Sequence, residues 1–371
     1  MKNIKKFIGS IGLPRLIIGI FFIVLLVTSL AIGFNPGVLF SDVLRRWLMY
    51  SILVLAMIPG VQCGIGMNFG ISLGISSGLL GAVLAMEISF ISNWQERFGA
   101  GFPWLTLLLA LVIGISIAAV VGALYGMLLN RVKGSEMTVS TYVGFSIIAF
   151  MNIVWLSFSF KNGELSWPLQ GQGLRNTASL GGSFGGLLSD PDVVRNTQPE
   201  WLHWLAFKIG DFVVPLGLII VFILCAFVIW LFFRSKAGIA MSAGGENPLF
   251  TLSSGINVER TRILGTTIST IFGAIGIIIY AQTYGFLQLY NAPLMMGFAS
   301  VASILIGGAT IRRANISHVI IGTLLFQGIL VTALPVVNQV IQIGTLPEVL
   351  RIIISNGIIL YALSKTKGGN Q

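Results

Sequence analysis

The stretch RSKAGIAMSAGGENPLFTLSSGINVERTR, from Arg234 to Arg262, is a polar segment between two long apolar runs. The run before it covers about 212–233, and the run after it covers about 260–283. Each run exceeds the roughly 18 apolar residues that a helix needs to cross a hydrocarbon core about 30 Å thick. Lipid cannot hydrogen-bond an open backbone, and the runs lack the short alternation of barrel strands. Both runs are therefore predicted to be membrane-spanning helices.

Similar apolar runs recur along the whole chain. Its 371 residues are 55% hydrophobic and 9% charged, with a mean hydropathy of +0.93, whereas a soluble domain has roughly 25% charged residues. We therefore predict an all-α, polytopic membrane protein of about ten transmembrane helices, surrounded by membrane lipid, that forms a single domain over residues 1–371. The predicted helices cover 15–33, 47–63, 65–88, 104–130, 138–159, 212–233, 260–283, 294–311, 317–335 and 347–364.

The net charge of +10 is unevenly distributed, so it indicates orientation and not nucleic-acid binding. With both termini in the cytoplasm, fourteen Lys and Arg residues and three acidic residues fall on the cytoplasmic side, which is the asymmetry expected there. This topology places the loop 161–211 outside and the segment 234–262 inside. Arg45 and Arg46 do not fit it, because they fall on the outer side. The outer loop is interpreted either as a contact surface or lid, or as a flexible linker.

Small and uncharged polar residues follow a helical spacing in the third predicted span. Glycines at four-residue intervals share one helix stripe and allow close backbone packing, and a polar amide in an apolar run needs a partner or a watery cavity. Glycine-rich turns beside it would also let the helix break at membrane depth, as in transporters. Packing is the alternative interpretation for most of these residues. The candidate lining of a translocation path is Gly66, Asn68, Gly70, Ser72 and Gly74, with Ser300 and Ser303 of the eighth span. This uncharged lining favours a neutral polyhydroxy solute over a cation.

Several catalytic signatures are missing from the sequence. It contains no GxxxxGK[ST] segment, HExxH motif, zinc-ligand spacing or nucleophile elbow, so the chain is predicted to be neither an ATPase nor another enzyme, and to hold no cofactor. Cys63 and Cys225 are predicted to be core residues. A transporter without its own ATPase can be driven by partner subunits, or can be an ion- or proton-coupled secondary carrier. The second alternative needs a titratable residue in the membrane, for which Glu87 is the acidic candidate.

The polar segment carries a resemblance to a known family. Its residues Gly244-Gly-Glu-Asn-Pro248 and Ser254-Gly-Ile-Asn-Val258 resemble the cytoplasmic coupling segment of inner-membrane permeases of ABC importers. That class serves ribose, simple sugars, nucleosides and branched-chain amino acids. The Gly-x-Asn-x-Gly pattern from residue 66 and the Ile-Gly-Gly turn at 306–308 agree with it.

This resemblance implies a type II importer permease of ten helices in a bacterial plasma membrane. The implied partners are ABC ATPase subunits, which use the ATP, a second permease that is identical or paralogous, and an extracytoplasmic solute-binding protein. The implied coupling helix runs from 246 to 255, with Pro248 in its first turn and Gly255 at its end. The residues implied in ATPase coupling are Gly245, Glu246, Asn247, Pro248 and Gly255. The solute stays open between a simple sugar and a nucleoside.

Overall fold

The computed structural model describes residues 13–166 and 173–340, together with residues 353 and 357. The described part of the chain is mostly helical, at 75%, and the elements given below are those of this part. Fourteen α-helices are α1 (Leu13–Ala31), α2 (Pro36–Leu55), α3 (Met57–Gln62), α4 (Ile71–Ile91), α5 (Trp94–Phe98), α6 (Phe102–Arg131), α7 (Glu136–Ser157), α8 (Pro191–Thr197), α9 (Leu216–Arg234), α10 (Lys236–Glu246), α11 (Pro248–Ser253), α12 (Val258–Tyr284), α13 (Ala292–Ile306) and α14 (Ile316–Val340). Two 3₁₀ turns span Gly99–Gly101 and Glu200–Leu205.

Six helices of the described part are long and apolar enough to cross a membrane. They are Ile71–Ile91, Trp94–Arg131, Glu136–Ser157, Leu216–Arg234, Val258–Tyr284 and Ile316–Val337. Two shorter apolar helices, Arg15–Ala31 and Ala292–Ile306, accompany them. The predicted tenth span, 347–364, falls outside the described residues except for positions 353 and 357, and the count of about ten stays a prediction.

The second and third predicted spans differ from the observed helices. The second was placed at 47–63, but α2 begins at Pro36, because Asn35 Oδ1 accepts a hydrogen bond from Gly37 N at 2.9 Å and Pro36 suits a first turn. Arg45 and Arg46 therefore lie inside α2 and not in an outer loop, and the Arg46 guanidinium lies 5.8 Å from the centre of the Tyr284 ring. The third span was placed at 65–88, but α4 begins only at Ile71.

Helix α4 lies at the centre of the molecule, between α6 and α12. It is 83% buried over its apolar window, and glycines on it allow the close contact that membrane helices need. A β-carbon on Gly74 would lie 2.3 Å from Thr270 O, and one on Gly81 would lie 2.5 Å from Gly114 N. Both predicted core cysteines are buried and free, which confirms that prediction.

The outer loop is described over 161–166 and 173–211, and this part is folded and is not a flexible linker. Strand β1 (Thr177–Ser179) pairs antiparallel with β4 (Phe286–Gln288), and β2 (Phe207–Ile209) pairs with β3 (Phe212–Val214). Between β1 and α8, Leu180 and Phe184 are fully buried. Lys208 donates to Asp192 Oδ2 at 2.8 Å and lowers the pKa of that carboxyl. The predicted helical class is confirmed, and the four strands of three residues each are a minor addition that the sequence did not predict.

The two ends of the helical body differ in charge. Asn35 Nδ2 donates to Asp211 Oδ2 at 2.6 Å at one end, and Lys133 Nζ donates to Glu259 Oε1 at 2.8 Å at the other. In the described residues, the end that carries the segment 234–262 holds nine basic and three acidic side chains, and the opposite half holds seven basic and eight acidic. The first set is Arg15, Arg131, Lys133, Arg234, Lys236, Arg260, Arg262, Arg312 and Arg313, with Glu136, Glu246 and Glu259.

Candidate translocation path and coupling segment

A non-helical segment, residues 63–70, separates α3 from α4 within the buried part of the molecule. Gly64 and Gly66 adopt φ values of +82° and +86°, a conformation that side chains with a β-carbon rarely adopt. The helix therefore breaks at these glycines, as the glycine-rich sequence predicts, whereas the depth of the break in the membrane stays a prediction. The predicted unbroken stripe of glycines is wrong for Gly66 and Gly70, because both precede α4.

Asn68 fixes this break to the neighbouring helices. Its side chain is fully buried. Its Oδ1 accepts from the Tyr125 hydroxyl of α6 at 2.9 Å, and its Nδ2 donates to Ser269 Oγ of α12 at 2.9 Å. The Ser269 hydroxyl in turn donates to Ala56 O at 2.6 Å. In this conformation Asn68 links four segments of chain, and its place in the translocation path stays a prediction.

The remaining glycines of the candidate path are contact points between segments. A β-carbon on Gly70 would lie 2.4 Å from the Tyr125 hydroxyl oxygen, and one on Gly66 would lie 3.1 Å from Ile311 Cγ2. With the 2.3 Å approach of Gly74 to Thr270 O, these positions have no room for a side chain. They favour packing, the alternative interpretation of the sequence.

Beside the break, a cleft opens between the start of α4, helix α7 and helix α13. The cleft is nearly closed, with a cavity volume of about 10 Å³, and its lining is Phe69, Ser72, Thr141, Gly144, Phe145, Ile148, Leu294, Gly297 and Phe298. Ser72 is the candidate path residue that the cleft contains, and its hydroxyl donates to Pro293 O at 2.9 Å. Ser300 and Ser303 are fully buried elsewhere on α13, and each donates to a carbonyl of its own helix.

The sequence analysis missed the aromatic part of this cleft. Phe69, Phe145 and Phe298 come from three different segments, and the centre of the Phe298 ring lies 5.7 Å from that of Phe69 and 6.1 Å from that of Phe145. In the sequence each is one Phe among 25, so only the tertiary arrangement separates them from lipid-facing side chains. A weak signal was available for Phe69, which directly follows Asn68 in the break.

The polar segment forms two helices, α10 and α11, joined at Asn247. The Asn247 Oδ1 accepts from Phe250 N at 3.1 Å, and Pro248 occupies the first turn of α11. At the other end, Gly255 has φ +81°, Gly255 N donates to Leu252 O at 3.0 Å, and Ile256 N donates to Thr251 O at 3.2 Å. This pair of bonds is a Schellman motif. The positions of Pro248 and Gly255 in the predicted helix are confirmed, although the helix is shorter than 246–255.

The segment directly contacts the break and the loop between α13 and α14. A β-carbon on Gly245 would lie 2.2 Å from Gln62 O and 2.8 Å from Gly64 N, so the backbones of α10 and the break touch. Gln62 Nε2 donates to Ala314 O at 2.8 Å, and Arg313 Nη2 donates to Glu246 Oε1 at 3.3 Å. The backbone of α10 therefore contacts the break directly, without an intervening side chain.

Two ion pairs join the start of α12 to the loop between α6 and α7. Lys133 pairs with Glu259 at the surface, and Arg262 pairs with Glu136 in a largely buried site. The Arg262 side chain is 9% exposed and its Nε has no hydrogen-bond partner among the described residues. A buried charge without its partner costs several kcal/mol. The pair of Arg262 with Glu136 therefore holds the first residue of α7 to α12.

The comparisons with known proteins decide the family. Residues 39–363 match the sequence profile of the family described as branched-chain amino acid transport system / permease component. The chain belongs to this family. It is a multi-pass membrane protein and a transport permease, which confirms that it is not an enzyme.

Two relatives are similar to parts of this permease. The guanosine ABC transporter permease protein NupQ of Bacillus subtilis is 31% identical over 83 residues, which is 22% of this chain and 26% of the relative. The nucleoside ABC transporter permease protein NupC of Lactococcus lactis is 25% identical over 228 residues, 61% of this chain and 63% of the relative. Both matches thus span less than two thirds of the relative's length. No solved structure matches the chain.

These findings do not support the secondary carrier. The family and both relatives favour an ABC permease. In addition, the Glu87 carboxylate accepts backbone hydrogen bonds from Lys161 N at 2.9 Å and Asn162 N at 3.1 Å. Glu87 thus anchors the start of the outer loop.

Proposed function

We propose that this permease is the membrane-spanning subunit of an ATP-driven ABC importer and forms the path for a nucleoside or a simple sugar. One observation carries the proposal: α11 presents Leu249, Phe250 and Leu252 to solvent, with exposures of 81%, 66% and 54%. Large apolar side chains on a short, doubly capped helix indicate a surface that another protein covers. We assign that partner as the ABC ATPase, which would use the ATP, while this chain holds no cofactor.

The charge asymmetry supports a cytoplasmic position for this surface. Nine basic against three acidic side chains lie at the end that carries α11, and seven against eight lie in the opposite half of the described chain. Membrane proteins retain their Lys and Arg excess in the cytoplasm. The proposed topology has ten spans, with both termini inside and the β-paired loop outside, where an extracytoplasmic solute-binding protein would dock.

The proposed coupling acts through the contact of Gly245 with Gln62 and Gly64. ATP-dependent closure of the ATPase pair would move α11, and α10 would transmit the movement to the break at 63–70. The permease would then exchange two packings that differ by a few kcal/mol, each favoured by a different nucleotide state of the partner. The coupling roles of Gly245, Glu246, Asn247, Pro248 and Gly255 are part of this proposal.

The choice of solute rests on two supports. One relative is named for guanosine and the other for nucleosides, and the cleft beside Ser72 has no charged side chain in its lining. The cleft opens beside Phe145 of α7, which is 47% exposed. A second permease, identical or paralogous, would complete the path on that side, and lipid would surround the pair. Nothing in the proposal involves nucleic acid.

A paired substitution tests the coupling. Glu246→Arg with Pro248→Gly places a positive charge against Arg313 and removes the residue that starts α11. In cells without other nucleoside uptake, which also produce the ATPase and solute-binding protein, we expect normal membrane insertion and loss of ATP-linked guanosine uptake. The control is Glu164→Arg, the same charge change on the exposed outer loop, which should retain uptake. Normal uptake by the paired variant would refute the coupling assignment, and uptake by the purified chain without ATP would refute the importer.

A further inference from the structure

Three phenylalanine rings meet at the cleft between α4, α7 and α13. Phe298 is the central ring, with its centre 5.7 Å from Phe69 and 6.1 Å from Phe145, at interplanar angles of 54° and 43°. A ligand with a flat ring gains affinity when it stacks on aromatic side chains of this kind. Every nucleic-acid base can do so, because every base has a π-face. The cleft therefore offers one surface suited to a planar ring.

The polar groups of the cleft offer hydrogen-bond acceptors. The Ser72 hydroxyl donates to Pro293 O at 2.9 Å, and the Thr141 hydroxyl donates to Met137 O at 2.9 Å. Since each hydrogen is already used, the lone pairs of these two oxygens remain for a donor on the ligand. Hydroxyl groups of a sugar are such donors.

The lining of the cleft carries no charged side chain. It therefore favours a neutral ligand over a charged one. A zwitterionic amino acid would bury its ammonium and carboxylate without a partner, which is costly. A free sugar would donate hydrogen bonds to the two hydroxyl oxygens, but it has no aromatic ring to stack on the three phenylalanine rings. A nucleoside supplies both a planar base and hydroxyl donors, and it is neutral.

We propose that Phe69, Phe145 and Phe298 form the stacking surface for the base of a nucleoside, while Ser72 and Thr141 accept hydrogen bonds from its ribose hydroxyls. This inference rests on the proposed function and specifies the ligand of the same path. In the present conformation the rings lie against each other, so α7 and α13 must separate before a base can enter. The rings then exchange contacts with each other for contacts with the base.

The test compares uridine with 5,6-dihydrouridine, which keeps the hydrogen-bonding groups but has a base that is neither aromatic nor planar. Uptake of both labelled compounds is measured in the complete transporter with its partner subunits. Wild type is expected to prefer uridine, and Phe145→Leu is expected to reduce the kcat/KM ratio of uridine to dihydrouridine by about tenfold, the order expected for one lost stacking contact. Any preference of the solute-binding protein is common to both variants and cancels from the comparison.

Matched variants keep the outcome decisive. Phe145 is 47% exposed, so its substitution removes little packing, and Phe150→Leu on the same helix is the control outside the cleft, expected to leave the ratio unchanged. Phe298→Leu is expected to reduce the ratio at least as strongly. An unchanged ratio in Phe145→Leu, or an equal loss of uridine, dihydrouridine and ribose uptake, would overturn the stacking assignment while nucleoside import stands. Import of a simple sugar but of no nucleoside by wild type would also overturn the stacking assignment, and failure to import either class of solute would refute the proposed function itself.

Discussion

Replacement of Gly245 by alanine tests whether the contact between α10 and the break transmits force. A β-carbon there would lie 2.2 Å from Gln62 O and 2.8 Å from Gly64 N, where ordinary contact begins near 3.4 Å. The two backbones would have to separate by about 1.2 Å on that side. Backbone atoms cannot rotate away as a side chain does, and such overpacking costs about 1–3 kcal/mol.

The adjacent glycine supplies a control of the same kind. A β-carbon on Gly244 would lie 3.3 Å from the Thr261 hydroxyl oxygen and 3.7 Å from Val258 Cγ1, both side-chain atoms. Gly244→Ala therefore adds the same methyl group to the same helix with little displacement. Any effect of helix propensity is shared by the two variants, since both replace glycine by alanine within α10.

The methyl group added by Gly245→Ala destabilises whichever of the two packings keeps the backbones of α10 and the break in contact. A shift of about 1–3 kcal/mol changes the equilibrium between two packings by about 5- to 150-fold. We expect Gly245→Ala to reach the membrane and to lose most ATP-linked guanosine uptake while the ATPase keeps hydrolysing ATP. Gly244→Ala should retain uptake within about twofold of wild type. Equal uptake by the two variants would show that this contact does not carry the coupling.

Three further changes have defined outcomes. Asn68→Ala removes the acceptor of the buried Tyr125 hydroxyl and the donor to Ser269 Oγ, which keeps its bond to Ala56 O, and should lower the free energy of unfolding of the purified permease by about 1–3 kcal/mol; unchanged stability, solute selectivity and uptake rate would contradict its bracing role. Glu136→Gln leaves Arg262 buried without its counter-ion and should destabilise by about 3–5 kcal/mol, and a double-mutant cycle with Arg262→Met should recover most of that loss, whereas additive losses would argue against the pair. Gly255→Ala should cost about 1–2 kcal/mol locally, because its φ of +81° disfavours a β-carbon, and should raise the protease sensitivity of α11.

The positions of the long apolar helices could be predicted closely from the sequence. The runs 104–130, 138–159 and 260–283 correspond to helices at 102–131, 136–157 and 258–284, because charges and caps end each apolar run abruptly. The start of α2 could not be found by hydropathy, since Asp42, Arg45 and Arg46 interrupt its apolar character. Its helical start depends instead on the cap at Asn35.

The candidate path was harder to predict than the coupling segment. Proline in the first turn and glycine at the end identify α11 from local chemistry alone. The break at 63–70 has the apolar composition of the helix that follows, so periodicity extends α4 through it. Only the positive φ of Gly64 and Gly66 and the hydrogen bonds of Asn68 distinguish the two. The three rings of the cleft come from residues far apart in sequence, and no local pattern brings them together.

The break at 63–70 is covered by the neighbouring helices. Non-helical backbone within a membrane protein is tolerated only where protein covers it, and here the cover is supplied by α6 and α12 through Tyr125 and Ser269. Helix α4 packs between the same two helices, with glycines where the backbones approach closely. The break lacks the continuous ladder of hydrogen bonds that α4 has. Under the proposed coupling, a displacement of α11 would reach this segment through the contact of Gly245 with Gln62 and Gly64.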